Sequence, residues 1–115
     1  MRKILVAGIL FAALARAQDA PGNAEAGKRL YMKNGCYQCH GTVGQGTVAG
    51  ARIGPPPLSV QGLIRYVRRP AGQMSAFTEK VMSDRQLTDV YAYLKTIPPP
   101  KPSKEIPLLN DLRGK

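Results

Sequence analysis

The apolar positions of the chain recur with a helical period in three segments, at residues 23–34, 59–69 and 84–96. In the first segment Gly27 and Tyr31 are four positions apart, which places them on one face of a helix. The apolar positions of the other two segments are Leu63, Ile64 and Val67, and Leu87, Val90, Tyr91 and Leu94. No segment shows the clean apolar–polar alternation of a half-buried strand, so the pattern predicts a small all-α protein.

Residues that typically begin and end helices bound these segments. Asn23 and Ser59 are suitable N-caps for the first two, and Ser83 or Asp84 is suitable for the third. A glycine or proline follows each segment, at Gly35, Pro70 and Pro98. Two loops, which contain several Gly and Pro residues, are predicted at residues 41–57 and 70–82.

The first residues have the layout of a secretory signal peptide. Arg2 and Lys3 precede an apolar run at residues 4–14, and the small-residue pattern Ala15-Arg16-Ala17 follows it. The apolar run is shorter than the roughly 20 residues that cross a bilayer as a helix. We therefore expect cleavage after Ala17 and an exported, periplasmic protein that is soluble and keeps no transmembrane anchor.

The last residues form a proline-rich basic tail. Five prolines lie among Lys and Arg residues at 98–115, which predicts an extended segment rather than a helix. Leu108, Leu109 and Leu112 are apolar residues that can attach this tail to the domain. The expected organisation is a signal peptide at residues 1–17, one domain at 18–97 and the tail at 98–115.

The net charge of +10 indicates which partners to expect. Three of the basic residues lie in the predicted leader, so the remaining chain carries +7. A basic exported domain favours acidic protein surfaces or anionic membrane faces, because complementary fields accelerate association. Nucleic acid is disfavoured, since export removes the usual opportunity to meet it.

Both cysteines and the only histidine fall in one pentapeptide, Cys36-Tyr37-Gln38-Cys39-His40. This is the c-type haem attachment signature. Two thiols at this spacing can each form a thioether with one vinyl group of a porphyrin, and the adjacent imidazole then meets the iron. A disulfide leaves His40 without a role, a thioredoxin-like pair requires a βαβ context, and a zinc site requires a fourth ligand. Covalent haem is therefore the favoured interpretation.

The second axial ligand of the iron has three methionine candidates: Met32, Met74 and Met82. Met74 is favoured because it follows Pro70 and Gly72, which promote turns, in a loop that can fold back across the opposite haem face. Met82 stays open as an alternative, and so does an open iron site. A His/Met pair leaves no position for substrate and raises the reduction potential, so it predicts electron transfer rather than catalysis.

These residues resemble the class I cytochrome c family, in particular its small bacterial monohaem members. The resemblance covers residues 24–97 and includes the haem motif, the Gly54-Pro55-Pro56-Pro57-Leu58 stretch and Met74-Ser75-Ala76-Phe77. It implies that the first and last helices cross, and that the carbonyl of Pro55 or Pro56 orients the histidine below the haem. Ser75 departs from the proline that often follows the axial methionine in the family.

An open iron site would suit an enzyme or a gas sensor, whereas a His/Met pair suits two other functions. The first is a diffusible electron carrier whose redox partner presents an acidic docking face to a basic rim. The candidate residues of that rim are Lys28, Arg52, Arg65, Arg68 and Arg69. The second is a dedicated haem c subunit of one periplasmic oxidoreductase complex, with the tail as a tether. The expected state is accordingly a monomer or a subunit of a complex.

Overall fold

The computed structural model describes residues 21–113, so the predicted signal peptide lies outside the described residues. The described part is helical, and its only extended pairing is a single bridge between Thr47 and Gly50. Its α-helices are α1 (Ala24–Lys33), α2 (Cys36–His40), α3 (Val60–Arg68), α4 (Asp84–Lys95) and α5 (Pro107–Arg113). The expected all-α fold is confirmed.

The three long helices begin at the residues that the sequence indicated. The Asn23 side chain accepts a hydrogen bond from the Ala26 amide at 2.8 Å, and α1 begins there. Ser59 caps α3 in the same way. At α4, Ser83 and Gln86 bind each other's backbone amides in a capping box, which satisfies two amides that the helix itself leaves unpaired.

The crossing of α1 and α4 organises the domain. Gly27 is buried at this crossing, where a Cβ atom would overlap the backbone carbonyl of Asp89. The Asp89 side chain in turn accepts a hydrogen bond from the Asn23 amide at 2.8 Å. Further along, the rings of Tyr31 and Tyr93 pack with their centroids 5.5 Å apart. The two helices therefore approach closely because glycine leaves room for the opposing backbone.

The core formed by these helices is small. Its buried apolar side chains are Tyr31, Ile64, Met82, Leu87, Val90, Tyr93 and Leu94. A margin of partly exposed apolar residues packs against it: Leu30, Cys36, Tyr37, Ile53, Val60, Leu63, Val67, Phe77 and Ile97. A domain of this size buries a limited share of its unfolded surface, so a further apolar group packed on this margin would add substantially to its stability.

The tail differs from the sequence prediction. It contains a 3-10 turn at Ser103–Glu105 and then the helix α5, where an extended chain was expected. Among the helices, α5 contacts only that turn. The tail leucines do not attach it to α1–α4, and they stay exposed: Leu108 by 69%, Leu109 by 38% and Leu112 by 64%. None of the helices in residues 21–113 is long and apolar enough to span a bilayer.

Candidate functional site

The cysteines and the histidine occupy one short helix, α2. Gly35 precedes it with φ 76° and Gly41 follows it with φ 81°, a region that glycine adopts without steric cost. Cys36 and Cys39 are three positions apart on this helix, a spacing that places two side chains on the same side. Both are free thiols, so both are available for covalent attachment.

The loop that follows α2 is folded tightly back onto it. The Gly46 amide donates to the His40 carbonyl at 2.8 Å, and the Thr47 hydroxyl donates to the Cys39 carbonyl at 2.6 Å. These two bonds satisfy carbonyls at the end of the helix, where no further helical turn is present to do so. The backbone of the motif is thereby fixed by its own loop.

Two buried tyrosines hold the same loop from the helix crossing. The hydroxyl of Tyr31 on α1 donates to the Gly41 carbonyl at 2.7 Å, and that of Tyr93 on α4 donates to the Thr42 carbonyl at 3.0 Å. Burial raises the pKa of both phenols, and for Tyr31 the rise is large, with charge repulsion from Cys36 and Tyr93 adding to it. The hydroxyls therefore remain protonated donors, and the crossing of α1 and α4 sets the position of the motif.

His40 is oriented by a backbone carbonyl. Its Nδ1 atom lies 2.7 Å from the carbonyl oxygen of Ala51. Since a carbonyl can only accept, Nδ1 carries the proton in this bond, and Nε2 of the neutral ring keeps its lone pair for a metal. This is the arrangement that an axial histidine requires.

The structure differs here from the expectation that Pro55 or Pro56 supplies this carbonyl. Gly44 accepts hydrogen bonds from the amides of Ile53 and Gly54, each at 2.9 Å. These two bonds hold the residues just before the prolines close to Gly44, near the start of the loop. The carbonyl that reaches Nδ1 of His40 is instead that of Ala51, four residues before Pro55.

The methionine candidates have different surroundings. Met82 is 2% exposed and belongs to the protein core, so its thioether is already packed against other side chains. Met32 lies on α1 and is 38% exposed. Met74 is half-buried in the loop between α3 and α4. A loop methionine that is not part of the core is free to serve as a ligand, whereas Met82 would have to leave a cavity behind.

The residues present match the chemistry of covalently bound haem. The motif offers two free thiols and one imidazole whose Nε2 is available. Burial raises the pKa of the Cys36 thiol, and the apolar margin of the core includes this residue. Among the described residues, no group of three or more His, Cys, Asp or Glu side chains is arranged to hold a metal ion by itself. The site therefore suits a porphyrin-borne iron better than a zinc ion.

Comparison with known proteins gives one match. Residues 22–94 match the model of a protein family described as cytochrome c oxidase, cbb3-type, subunit III. No curated protein and no solved structure matches the chain. The matched residues include the complete Cys36–His40 helix and extend from before α1 into the last turn of α4. The chain therefore belongs to this family of c-type cytochromes, whose covalently bound haem c transfers electrons.

Proposed function

We propose that the protein is a periplasmic electron carrier with a single haem c, ligated by His40 and Met74. The observation that carries this proposal is the bond between His40 Nδ1 and the Ala51 carbonyl, which leaves Nε2 available beside two free thiols. The chain contains one haem motif, with its only two cysteines and its only histidine, so we expect one haem per chain. When bound, haem c would supply the redox couple of its iron.

Ligation by His40 and Met74 would leave no position for a substrate, which supports a carrier rather than an enzyme. A thioether ligand also raises the reduction potential relative to a nitrogen ligand. The protein's own contribution is to keep both ligands in place, so that little rearrangement accompanies the change in charge. Gly41, Thr42 and the two tyrosines that bind them serve this purpose on the histidine side.

Paired leucine substitutions test the choice of methionine. Met74→Leu should lower the reduction potential and abolish the weak red absorption band that the resemblance leads us to expect of methionine-ligated ferric haem. Met82→Leu is the matched control, because it conserves volume in the core and should cost less than about 1.5 kcal/mol of stability. If Met82→Leu, rather than Met74→Leu, abolishes the band and lowers the potential, Met74 is not the ligand.

We further propose that the redox partner presents an acidic face to a basic surface of this protein. Arg52 and Arg68 are engaged in bonds to backbone carbonyls, with the oxygens of Gly54 and Phe77 respectively. Lys28, Arg65 and Arg69 remain as exposed cations on or beside α1 and α3. The docking candidates are these three residues and the exposed Arg52, because a bond to a neutral carbonyl does not cancel its charge.

The ionic-strength dependence of the electron-transfer rate tests this docking surface. Exposed charges interact over about 10 Å at 0.1 M salt and over less at higher salt, so the rate constant should fall as salt is added. The double variant Arg65→Gln/Arg69→Gln should show a slower rate and a weaker salt dependence than the parent. A parent rate that does not change with salt would exclude electrostatic docking.

The second candidate function is a dedicated haem c subunit of one periplasmic oxidoreductase complex, with the tail as its tether. The exposed leucines of α5 favour it, because a helix without contacts to α1–α4 offers its apolar side chains to another protein. The matched family is also named for a subunit of an oxidase. Anchors at Leu108 and Leu112 are four positions apart, as in helices that dock into apolar grooves.

Changes confined to the tail distinguish the two functions. Leu108→Ser/Leu112→Ser in the full chain should prevent co-purification with the complex while haem content and potential stay as in the parent. Lys101→Ser/Lys104→Ser is the control that alters the tail but keeps the leucines. If a chain ending at Ile97 still assembles and turns over normally, the tether is excluded and the diffusible carrier is favoured.

A further inference from the structure

The loop that carries Met74 is held to the end of α3 at Phe77. The Phe77 amide donates to the Val67 carbonyl at 3.0 Å, and Nη1 of Arg68 donates to the Phe77 carbonyl at 2.8 Å. Two consecutive residues at the end of α3 thus satisfy both backbone polar groups of Phe77. The chain is closed into a loop at this point, three residues after Met74.

The same guanidinium reaches a third element. Its Nη2 atom lies 2.5 Å from Oδ1 of Asp84, the first residue of α4. The Arg68 side chain is only 21% exposed, whereas that of Asp84 is 60% exposed. Because the guanidinium is a rigid planar fork, the bond to Asp84 also orients the nitrogen that binds Phe77. Arg68 therefore joins the end of α3, the loop and the start of α4.

The loop has a second fixed point beyond Phe77. The Thr78 carbonyl accepts hydrogen bonds from the amides of Val81 and Met82, each at 3.0 Å. Because Met82 is buried in the core, the end of the loop next to α4 is fixed in position. Within the closed loop, Gly72 turns the backbone with φ 68°. The position of Met74 is consequently limited by the closure at Phe77, since little else in the loop is buried.

We infer that Arg68 is a positioning residue for the axial methionine: its bonds to Phe77 and Asp84 hold the loop so that Met74 stays at the iron. This inference rests on the proposed ligation by Met74. Arg68 thereby has a different role from Arg65 and Arg69, which are exposed and suited to docking. Because its donor is charged, the bond from Arg68 to the Phe77 carbonyl is stronger than a neutral backbone hydrogen bond.

Competition with free imidazole measures how firmly Met74 is held. In the ferric holoprotein, imidazole binds the iron only when the methionine dissociates, so its apparent affinity increases with the fraction of open sites. Arg68→Ala removes both bonds of the guanidinium, and the loss of the charge-assisted bond to Phe77 should increase that affinity by about 10- to 100-fold. Asp84→Asn, which keeps the bond to Phe77, should cause a smaller increase. Arg68→Lys, with one donor group for two acceptors, should lie between the parent and Arg68→Ala.

Two controls separate positioning from a general loss of stability. Ser59→Ala removes the hydrogen bond that caps the start of α3, at the opposite end of that helix from Arg68, and its imidazole affinity should stay within about threefold of the parent. Met74→Leu has no methionine to displace and sets the upper limit of the affinity. Haem absorbance and circular dichroism identify any variant that does not fold, in which case Arg68→Lys provides the comparison.

The outcomes are distinct. An increase in imidazole affinity for the Arg68 variants but not for Ser59→Ala supports the inference. Equal affinities in the parent and in the Arg68 variants refute it, provided that Met74→Leu binds imidazole more tightly than the parent. If Met74→Leu and the parent bind imidazole equally, Met74 is not the ligand, and the proposed ligation fails along with the inference.

Discussion

Gly27 of α1 has no room for a side chain, because α4 crosses it with its backbone. The nearest atoms to a Cβ at this position are the carbonyl group of Asp89 and the amide nitrogen of Val90. Unlike the end of a flexible side chain, these atoms cannot turn away. Gly27→Ala therefore requires α1 and α4 to move apart, and the tyrosine pair packed across the same crossing would loosen with them.

The size of the effect follows from two opposing contributions. Alanine in a helix is favoured over glycine by about 0.8–1.0 kcal/mol. An extra carbon in a packed interface costs about 1–3 kcal/mol, and backbone neighbours place this site at the upper end. The net loss in the free energy of unfolding is then about 2 kcal/mol. For a domain of this size each kcal/mol corresponds to about 4–8 °C, so Tm should fall by roughly 8–16 °C.

Gly62 of α3 provides a matched control. A Cβ atom there would lie 3.2 Å from Leu58 Cβ and 3.3 Å from the Ser59 hydroxyl, and both neighbours are side chains. Leu58 is 45% exposed and can adjust by a few tenths of an ångström. Gly62→Ala should therefore leave the free energy of unfolding within about 1 kcal/mol of the parent, on the stabilising side.

Thermal unfolding of the haem-loaded variants, followed by far-ultraviolet circular dichroism, measures the difference. Haem content must be equal in all samples, because a group bound only to the folded state raises Tm. The reasoning is refuted if Gly27→Ala matches or exceeds the parent in Tm. It is also refuted if the two variants shift in the same direction by similar amounts, since that result would reflect helix propensity alone.

Three further predictions concern stability. Because burial raises the pKa of Tyr31, the unfolded chain loses the phenol proton at lower pH than the folded protein does. The free energy of unfolding should therefore fall as pH rises above about 10, and it should fall less steeply in Tyr31→Phe. Urea unfolding at several pH values measures both slopes. Ser83→Ala removes one half of the capping box of α4 and should cost about 1 kcal/mol in the same assay, whereas an unchanged midpoint would contradict the cap. Thr47→Val removes the hydroxyl that binds the Cys39 carbonyl and should cost about 0.5–1.5 kcal/mol in the same assay. Thr42→Val should cost less, because the Thr42 hydroxyl donates to no other group within residues 21–113.

Much of the fold could be predicted because its signals are local. The caps at Asn23, Ser59 and Ser83 act within three residues of themselves, and the structure contains each of them. The apolar face with Gly27 and Tyr31 also lies at the crossing, as its spacing suggested. The haem motif is a contiguous pentapeptide, so its position needed no knowledge of the tertiary structure.

The features that the sequence did not predict depend on context. The prolines of the tail indicated an extended chain, but Pro107 occupies the first position of α5, where a missing amide costs nothing. The acceptor for His40 depends on how the loop folds between Gly44 and Ile53, and no local pattern specifies that path. In the sequence Arg68 is one of several basic residues that could line a docking rim. Only the tertiary structure shows that it binds Phe77 and Asp84.

The most direct test of the central claim is a pyridine haemochrome spectrum of protein exported together with haem-maturation machinery. The sample is first extracted with acid-acetone, which removes haem that is not covalently bound. We expect a c-type spectrum to survive extraction at one haem per chain, and to be lost in Cys36→Ser/Cys39→Ser. Loss of the spectrum from the parent on extraction would contradict covalent attachment, and with it the assignment of this protein as an electron-carrying cytochrome c.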